Sequence, residues 1–338
     1  MEKKKILMLT TGGTIASTQT EHGLAPGLNA DELLLGLEDL QTLCEMDTLE
    51  VCSLDSTNIN WKHWLMLEEA IETHYEQYNG FVICHGTDTM AYTASALSYL
   101  LQNIGKQVVL TGSQKPITQE ITDAKKNLRD SIAVAMDEHS RGVQIVFNGQ
   151  IIAGTRAKKV KSFSFDAFTS INFPVLGVVQ NGRVIRYLEE PVPDGAPVFY
   201  RSVNPKVFLL KLIPGMQPQI LEPIFREFDC IIIESFGVGG IPDSIVDEFF
   251  RLLQQDEKIL IMTTQVTYEG SDVGVYEVGK RIRERIRFLE AHDMTLEAVL
   301  TKIMWILGME GLTFEEIESC FYQKIHFDIS MADEEERG

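Results

Sequence analysis

Two threonine-rich segments and one basic segment hold the residue types in this chain that could do chemistry. Thr10-Thr11-Gly12-Gly13-Thr14-Ile15-Ala16-Ser17 follows one short apolar run, and His85-Gly86-Thr87-Asp88-Thr89-Met90 follows another. A threonine hydroxyl beside a proton acceptor can attack an electrophilic carbonyl. Adjacent glycines let backbone amides approach closely enough to meet the oxyanion that forms. The third segment, Gly154-Thr155-Arg156-Ala157-Lys158-Lys159-Val160, is basic in an otherwise acidic chain. It can place a lysine beside a Thr–Asp pair and keep a proton acceptor poised. Plainer readings exist for each segment: a glycine turn, a helix N-cap at Thr87 or Asp88, a solvated loop. The recurrence of a Thr-rich strand end argues for chemistry over capping. Gly-x-Gly-x-x-Gly is absent from the first segment and no Gly-Lys-Ser/Thr follows it, which argues against a phosphate loop. No Gly-x-Ser-x-Gly elbow accompanies His85, so that histidine reads as structural. The seven histidines are scattered, with no His-Glu-x-x-His and no Cys-x-x-Cys, so neither a metal nor another cofactor is expected.

These segments need elements to position them. Lys5–Thr10, Phe81–Cys84, Gln107–Thr111 and Val143–Phe147 read as buried strands. Trp61–Tyr78, Thr89–Leu101 and Asp123–Met136 carry apolar residues at helical spacing between them. The alternation implies crossover units and a parallel sheet covered on both faces, with ligand sites at the carboxyl ends of the strands. The rhythm breaks between about Leu188 and Pro205, where Pro and Gly cluster. It resumes with strands at Val207–Leu212, Cys230–Ser235 and Ile259–Thr263 and helices near Pro218–Phe225, Ser244–Gln254 and Thr295–Met309. The expected fold is α/β in two domains, each a mainly parallel sheet with helices on both faces. Residues 1–190 form the larger catalytic domain, 191–206 a linker and 207–338 the smaller domain.

A length of 338 residues suits two cores. A formal charge of -19 repels phosphate backbones, so nucleic acid is not an expected partner. No apolar stretch reaches the roughly 20 residues a membrane helix needs. The apolar run after Met1-Glu2-Lys3-Lys4-Lys5 is too short for a secretory signal. With five unclustered cysteines, an odd number, the expected compartment is the cytoplasm.

Together the three segments resemble the bacterial L-asparaginase family. Thr-Gly-Gly-Thr-Ile-Ala at 11–16 and His-Gly-Thr-Asp-Thr-Met at 85–90 look like its two signature motifs. Asp55-Ser56-Thr57 looks like its short substrate loop, and Arg156–Lys159 like the segment bearing its lysine. Thr111-Gly112-Ser113-Gln114 is similar to the cytoplasmic type I branch. The resemblance spans residue 5 to about 325. It implies hydrolysis of the side-chain amide of L-asparagine, with Thr14, Thr87, Asp88 and Lys159 as catalytic residues. Thr14 would be the nucleophile on a mobile loop, and Thr87, Asp88 and Lys159 a rigid group activating water or supporting acyl transfer. Asp55, Ser56, Thr57, Thr87, Asp88 and Ser113 would bind substrate, Ser56 and the Thr57 backbone at its α-carboxylate and Asp88 at its α-ammonium. It also implies a homo-oligomer, a dimer or dimer of dimers, in which the second domain completes a neighbour's site. Lys158, Glu234 and Val266 fall where some type I members carry an asparagine effector site, and are not the residue types that site carries.

The nearest rival is a glutaminase-asparaginase or related small-amide amidase, because one methylene is worth only about 1–3 kcal/mol in a pocket. The tRNA-linked amidotransferase relatives need a further N-terminal domain, whereas this chain opens on the first catalytic strand and is strongly acidic. From another class, Gly237-Val238-Gly239-Gly240 follows a strand and precedes a helix, as a phosphate turn would, but gives no third glycine at the required spacing. A non-catalytic asparagine sensor is the remaining reading. It would bind the amino acid without releasing ammonia.

The family commonly carries a lid tyrosine near Leu24. Leucine cannot relay a proton, so its expected contribution to a closed lid over Ser17–Gly27 is packing. Leu24→Ala should lower kcat/KM by the equivalent of roughly 1–3 kcal/mol of apolar burial. The pH profile of kcat should keep its shape, and a displaced limb in the alanine variant would overturn the packing account.

Overall fold

The computed structural model describes residues 3–20, 23–26, 44–188, 190–275 and 286–330. The chain divides into two compact units, Met1–Arg201 and Ser202–Gly338. The first is built on an eight-stranded sheet: β1 (Lys5–Gly12), β2 (Glu45–Leu54), β3 (Gly80–Cys84), β4 (Gln107–Thr111), β5 (Gly142–Phe147), β6 (Gln150–Ala153), β7 (Gly177–Gln180) and β8 (Arg183–Arg186). Their order across the sheet is β8-β7-β6-β5-β4-β3-β1-β2. From β2 to β5 every neighbouring pair is parallel, and the strands from β5 to β8 pair antiparallel.

β1, β3, β4 and β5 are apolar on both faces, as central parallel strands must be when helices cover each side. The helices α1 (Trp61–His74), α2 (Met90–Leu100) and α3 (Ala124–Ala135) are the crossovers. α1 starts from a capping box in which Asn60 and His63 satisfy one another's backbone amides. Leu9, Phe81, Ile83, Leu97 and Leu110 are fully buried at the centre of this unit's core. The antiparallel edge differs from the expected run of crossovers. β5 turns directly into β6 through Asn148-Gly149, and β7 into β8 through Asn181-Gly182, all four residues at positive φ. That conformation closes a two-residue hairpin and suits Asn-Gly.

Within the stretch read as linker, Val198–Phe199 pairs with Leu101–Gln102, and the Phe199 ring meets Tyr75 edge-on at 5.5 Å. The lid segment is partly described. Ser17–Thr20 and Gly23–Pro26 form an antiparallel ladder where the sequence shows no periodicity, and residues 21, 22 and 27 lie outside the described residues.

The second unit is a four-stranded parallel sheet in the order β9 (Val207–Lys211), β10 (Cys230–Ser235), β11 (Ile259–Thr264) and β12 (Leu289–Glu290). α4 (Leu221–Glu227), α5 (Asp243–Leu253), α6 (Leu296–Ile306) and α7 (Phe314–Tyr322) accompany it. Ile231, Ile233, Phe249 and Met262 lie in its core. Lys302 on α6 is fully buried against Asp328 at 2.6 Å and also donates to Gln323 O at 2.7 Å. The glycine turn after β10 closes on itself: Gly239 N and Gly240 N both donate to Phe236 O. Those amides are spent inside the turn, which removes the phosphate-loop reading. No helix among the described residues is long and apolar enough to cross a membrane.

A buried hydrogen-bond chain fixes the end of β3. Trp64 Nε1 donates to Thr93 Oγ1 at 3.1 Å, and Thr93 Oγ1 lies 2.9 Å from His85 Nε2. His85 Nδ1 lies 2.7 Å from Gly86 O. A carbonyl only accepts, so Nδ1 carries the proton, Nε2 accepts from the Thr93 hydroxyl, and the imidazole is neutral. Burial in this apolar setting lowers the His85 pKa to about 4 from 6.5. His85 is structural, as the sequence implied. In the unfolded chain the same group takes up a proton near pH 6.5, so stability from neutral His85 is present above that pH and is lost as pH falls toward 4. The loss amounts to about 3 kcal/mol. Urea midpoints across pH 4–7 should show this slope in the parent and a shallower one in His85→Gln. Equal slopes would remove His85 from the acid response.

Candidate active site

Four loops leave the carboxyl edge of neighbouring parallel strands β4, β3, β1 and β2, and they carry Ser113-Gln114, Thr87-Asp88, Gly13-Thr14 and Asp55-Ser56-Thr57. Open α/β sheets bind ligands at this edge. β1 and β3 are in register at Leu9–Ile83 and Thr10–Cys84, which sets the segments that follow Thr10 and Cys84 side by side. Their loops then converge. A Cβ placed on Gly13 would lie 2.5 Å from Gly86 Cα, and one on Gly86 would lie 2.6 Å from Ser56 Cβ. Neither position has room for a side chain, and Gly13 also sits at φ +84, where L-residues are strained. Thr14 and Thr87 are the residues immediately beyond this contact. Thr14 is half-buried and opens a single turn of 3₁₀ helix, Thr14–Ala16, anchored by Gly13 N to Leu54 O at 3.0 Å.

The Asp55-Ser56-Thr57 loop is a 3₁₀ turn capped by Asp55, whose carboxylate accepts from Thr57 N at 2.9 Å and Thr57 Oγ1 at 2.8 Å. Asp55 is thus committed to holding its own loop. Ser56 is buried and stitches that loop to the next: Asp88 N donates to Ser56 Oγ at 3.3 Å, and Thr89 Oγ1 donates to Ser56 O at 2.7 Å.

Lys159 ends a three-residue strand, Ala157–Lys159, paired antiparallel with Phe168–Ser170. Its Nζ donates to Thr87 Oγ1 at 2.8 Å and to Asp88 Oδ1 at 2.7 Å. Thr87 is buried, Lys159 keeps 17% of its side-chain surface and Asp88 keeps 56%. Neighbouring lysines are engaged differently. Lys161 pairs with Asp166, and Lys158 stands opposite Thr169 in the ladder. Arg156 is fully buried, with its guanidinium 5.3 Å from the centre of the Phe173 ring.

The structure thus brings Thr87, Asp88 and Lys159 into direct contact and joins Ser56 to them through backbone and side-chain bonds. Ser113 is buried and at the site, but its hydroxyl donates to Lys115 O at 2.5 Å, within its own turn. The neighbouring residue reaches the cluster instead: Thr87 Oγ1 donates to Gln114 Oε1 at 3.1 Å. Gln114 was quoted in the sequence only as part of a branch marker. Its role is not visible there, because an amide three residues past a strand end has no spacing signature.

Cys84 stands three residues before Thr87, fully buried, and burial pushes its thiol up to about 12. It is no rival nucleophile. Among the described residues no group of three or more His, Cys, Asp or Glu side chains is placed to hold a metal ion. What the cluster can do is move a proton. It contains a buried hydroxyl contacted by an amine, a carboxylate on that amine, and glycine-rich backbone close by. In the second unit Glu234 is paired with Lys211 at 2.8 Å, and Val266 is half exposed.

Comparison with known proteins gives a consistent picture. The pattern described as Asparaginase, N-terminal matches residues 5–192, and that of the Glutaminase/Asparaginase C-terminal domain matches 206–321. An L-asparaginase of Thermococcus kodakarensis is 39% identical over 333 residues, covering 96% of this chain and 99% of that protein. L-asparaginase 1 of Escherichia coli K12 is 33% identical over 344 residues, covering 98% and 100%. The solved structure of the thermostable Thermococcus kodakarensis L-asparaginase superposes with a TM-score of 0.88 at 38% identity, covering 96% of this chain and 99% of that one. Matches to both halves, with full-length relatives of the same two-unit fold, make this chain a member of the asparaginase family.

Proposed function

We propose that the chain is an L-asparagine amidohydrolase, releasing L-aspartate and ammonia through a threonine nucleophile and a β-aspartyl ester on the enzyme. The observation that carries the reading is the contact of Lys159 Nζ with both Thr87 Oγ1 and Asp88 Oδ1, 2.8 and 2.7 Å, at the edge where the Gly13-Thr14 loop converges. The side-chain amide is a poor electrophile and needs an alkoxide-like oxygen. In this reading Thr14 attacks the amide carbon while its proton passes to the Lys159 amine, which its bonds to Thr87 and Asp88 orient, and from there to the departing nitrogen. Ammonia departs and a β-aspartyl ester remains. Lys159 then takes a proton from water as it attacks the ester and returns that proton to the departing Thr14 oxygen, which frees L-aspartate and restores the Thr14 hydroxyl. The Gly13 amide is engaged by Leu54 O at 3.0 Å, so the glycine turn serves to bring its loop close to Gly86 rather than to meet the oxyanion.

Substrate recognition follows from the same loops. The α-carboxylate fits the Ser56 hydroxyl, and the Thr57 amide joins it only on release from Asp55 Oδ1, which it meets at 2.9 Å. The α-ammonium fits the exposed Asp88 carboxylate, with Ser113 contributing through its buried turn. No cofactor or metal enters the proposal. The proposed setting is a cytoplasmic dimer or dimer of dimers. The five cysteines are free, in keeping with a reducing compartment. Light scattering on the active enzyme should give a dimer or tetramer, and an active monomer at dilution would sink the oligomer.

The test is ammonia release from asparagine and glutamine side by side. Glutamine turnover equal to asparagine turnover would replace the proposal with a mixed glutaminase-asparaginase. Thr14→Ala, Thr87→Ala and Lys159→Met should each lower kcat by about 10³-fold or more with the fold intact by circular dichroism. Lys158→Met and Lys161→Met should keep most of it. A Thr14→Ala or Thr87→Ala enzyme with near-normal turnover would reduce that residue to a structural role.

A further inference from the structure

We infer that Gln114 is a positioning residue for Thr87, holding the hydroxyl proton away from Lys159 so that an oxygen lone pair faces the amine. The inference rests on the proposed amidohydrolase reaction for its consequence, and on hydrogen-bond bookkeeping for its geometry. A threonine hydroxyl has one proton to give. Lys159 Nζ, at 2.8 Å, is a donor to Thr87 Oγ1, so the proton has one described acceptor, Gln114 Oε1 at 3.1 Å.

The orientation of the Gln114 amide is fixed from its other side. Nε2 lies 3.2 Å from Ser164 O and 3.5 Å from Lys161 O, and carbonyls only accept. A flipped amide would set its oxygen against two carbonyl oxygens and its NH2 against a hydroxyl already accepting from lysine. Oε1 therefore faces Thr87.

Gln114 itself is clamped. The buried Asp123 carboxylate accepts from Gln114 N at 2.9 and 3.1 Å, from Lys115 N at 3.2 Å and from Asn127 Nδ2 at 3.3 Å. Asn127 also donates to Gly112 O at 2.9 Å, tying α3 to the strand end. A continuous chain runs Asn127–Asp123–Gln114–Thr87–Lys159–Asp88. Its buried half is anchored in α3, and its exposed half is the proton-moving pair. Through Ser164 O and Lys161 O, the same amide fastens the 160–166 loop, whose Phe163 is 89% exposed, to the Thr87 hydroxyl. Without Gln114 the hydroxyl proton has no fixed acceptor. It competes with the Lys159 N–H for the same space, and the reactive geometry is occupied only part of the time.

Two variants separate positioning from packing. Gln114→Leu removes both the acceptor and the donor. Gln114→Glu keeps an acceptor for Thr87, loses the donor to Ser164 O, and adds a negative charge one hydroxyl away from Lys159. Gln114→Leu should lower kcat for asparagine on the order of 10²-fold, with KM within about threefold and the thermal midpoint within a few degrees of the parent. Gln114→Glu should recover part of that kcat at high pH. The ascending limb of its kcat–pH profile should move up by about one unit, because the new carboxylate favours the protonated amine. Turnover within twofold of the parent in both variants overturns the assignment. So does a loss that tracks the thermal midpoint while the pH limb stays fixed. If the parent itself releases no ammonia from asparagine, the amidohydrolase reading fails separately. The positioning is then read by NMR titration of ε-13C-labelled lysines, assigned with Lys159→Arg. In Gln114→Glu the Lys159 signal should titrate at higher pH than in the parent, and an unmoved titration overturns the proposal.

Discussion

The backbones of two loops meet at Gly13 and Gly86 with no space for a side chain on either, and the arrangement of the site depends on that contact. The register of β1 with β3 sets the segments after Thr10 and Cys84 side by side, but register alone would let bulky loops splay apart. Here a Cβ on Gly13 would stand 2.5 Å from Gly86 Cα, and the far side of Gly86 is filled by Ser56. Three loops from three parallel strands are thereby pressed together. Thr14 and Thr87 are the residues that follow these two glycines. The positive φ of Gly13 turns the chain there without the strain a larger residue would carry.

Convergence alone would leave polar groups buried without partners, which costs free energy. The structure meets this from behind the site. His85 spends both ring nitrogens, on Gly86 O and Thr93, and Asp123 takes three N–H donors from Gln114, Lys115 and Asn127. Fully satisfied buried networks of this kind are rigid. The solvent side is different in kind, since Asp88 keeps 56% of its side-chain surface and Lys159 keeps 17%. The cluster is therefore stiff where it is anchored and open where a substrate would arrive, as preorganised electrostatic catalysis requires.

Much of this was legible in the sequence, for identifiable reasons. Strands buried on both faces read as unbroken apolar runs, and β3, β4, β10, α2 and α3 appear within a residue of the expected places. β2 went unread because it is an edge strand of alternating character, Glu45-Met46-Asp47-Thr48-Leu49, rather than an apolar run. The antiparallel edge was signalled by Asn148-Gly149 and Asn181-Gly182, hairpin dipeptides that a search for crossovers passes over. At the site, motif residues announced themselves by type and place. The contact of Lys159 with Thr87 was anticipated through family resemblance rather than spacing, since 72 residues separate them. Gln114 was unreadable in its function, because an amide contacts a hydroxyl only once the turn beneath it is clamped by Asp123.

The charge distribution adds a last constraint on how such a site can select its substrate. The chain carries a formal charge of -19, yet an amino acid with a neutral side chain has no net charge for that field to draw. Recognition in the proposed reaction must therefore come from local charges spaced as the zwitterion is. Asp88 can take part because only Oδ1 is engaged by Lys159, at 2.7 Å, and a carboxylate has about four lone-pair sites. One carboxylate can thus hold the catalytic amine through one oxygen and accept the substrate ammonium through the other. An arriving ammonium would share the charge of Asp88 with Lys159, weaken its hold on a protonated amine and leave the amine better able to take the proton released in the attack. Binding of the correct zwitterion would then promote the proton transfer it needs, a coupling that an amide lacking the α-ammonium could not supply.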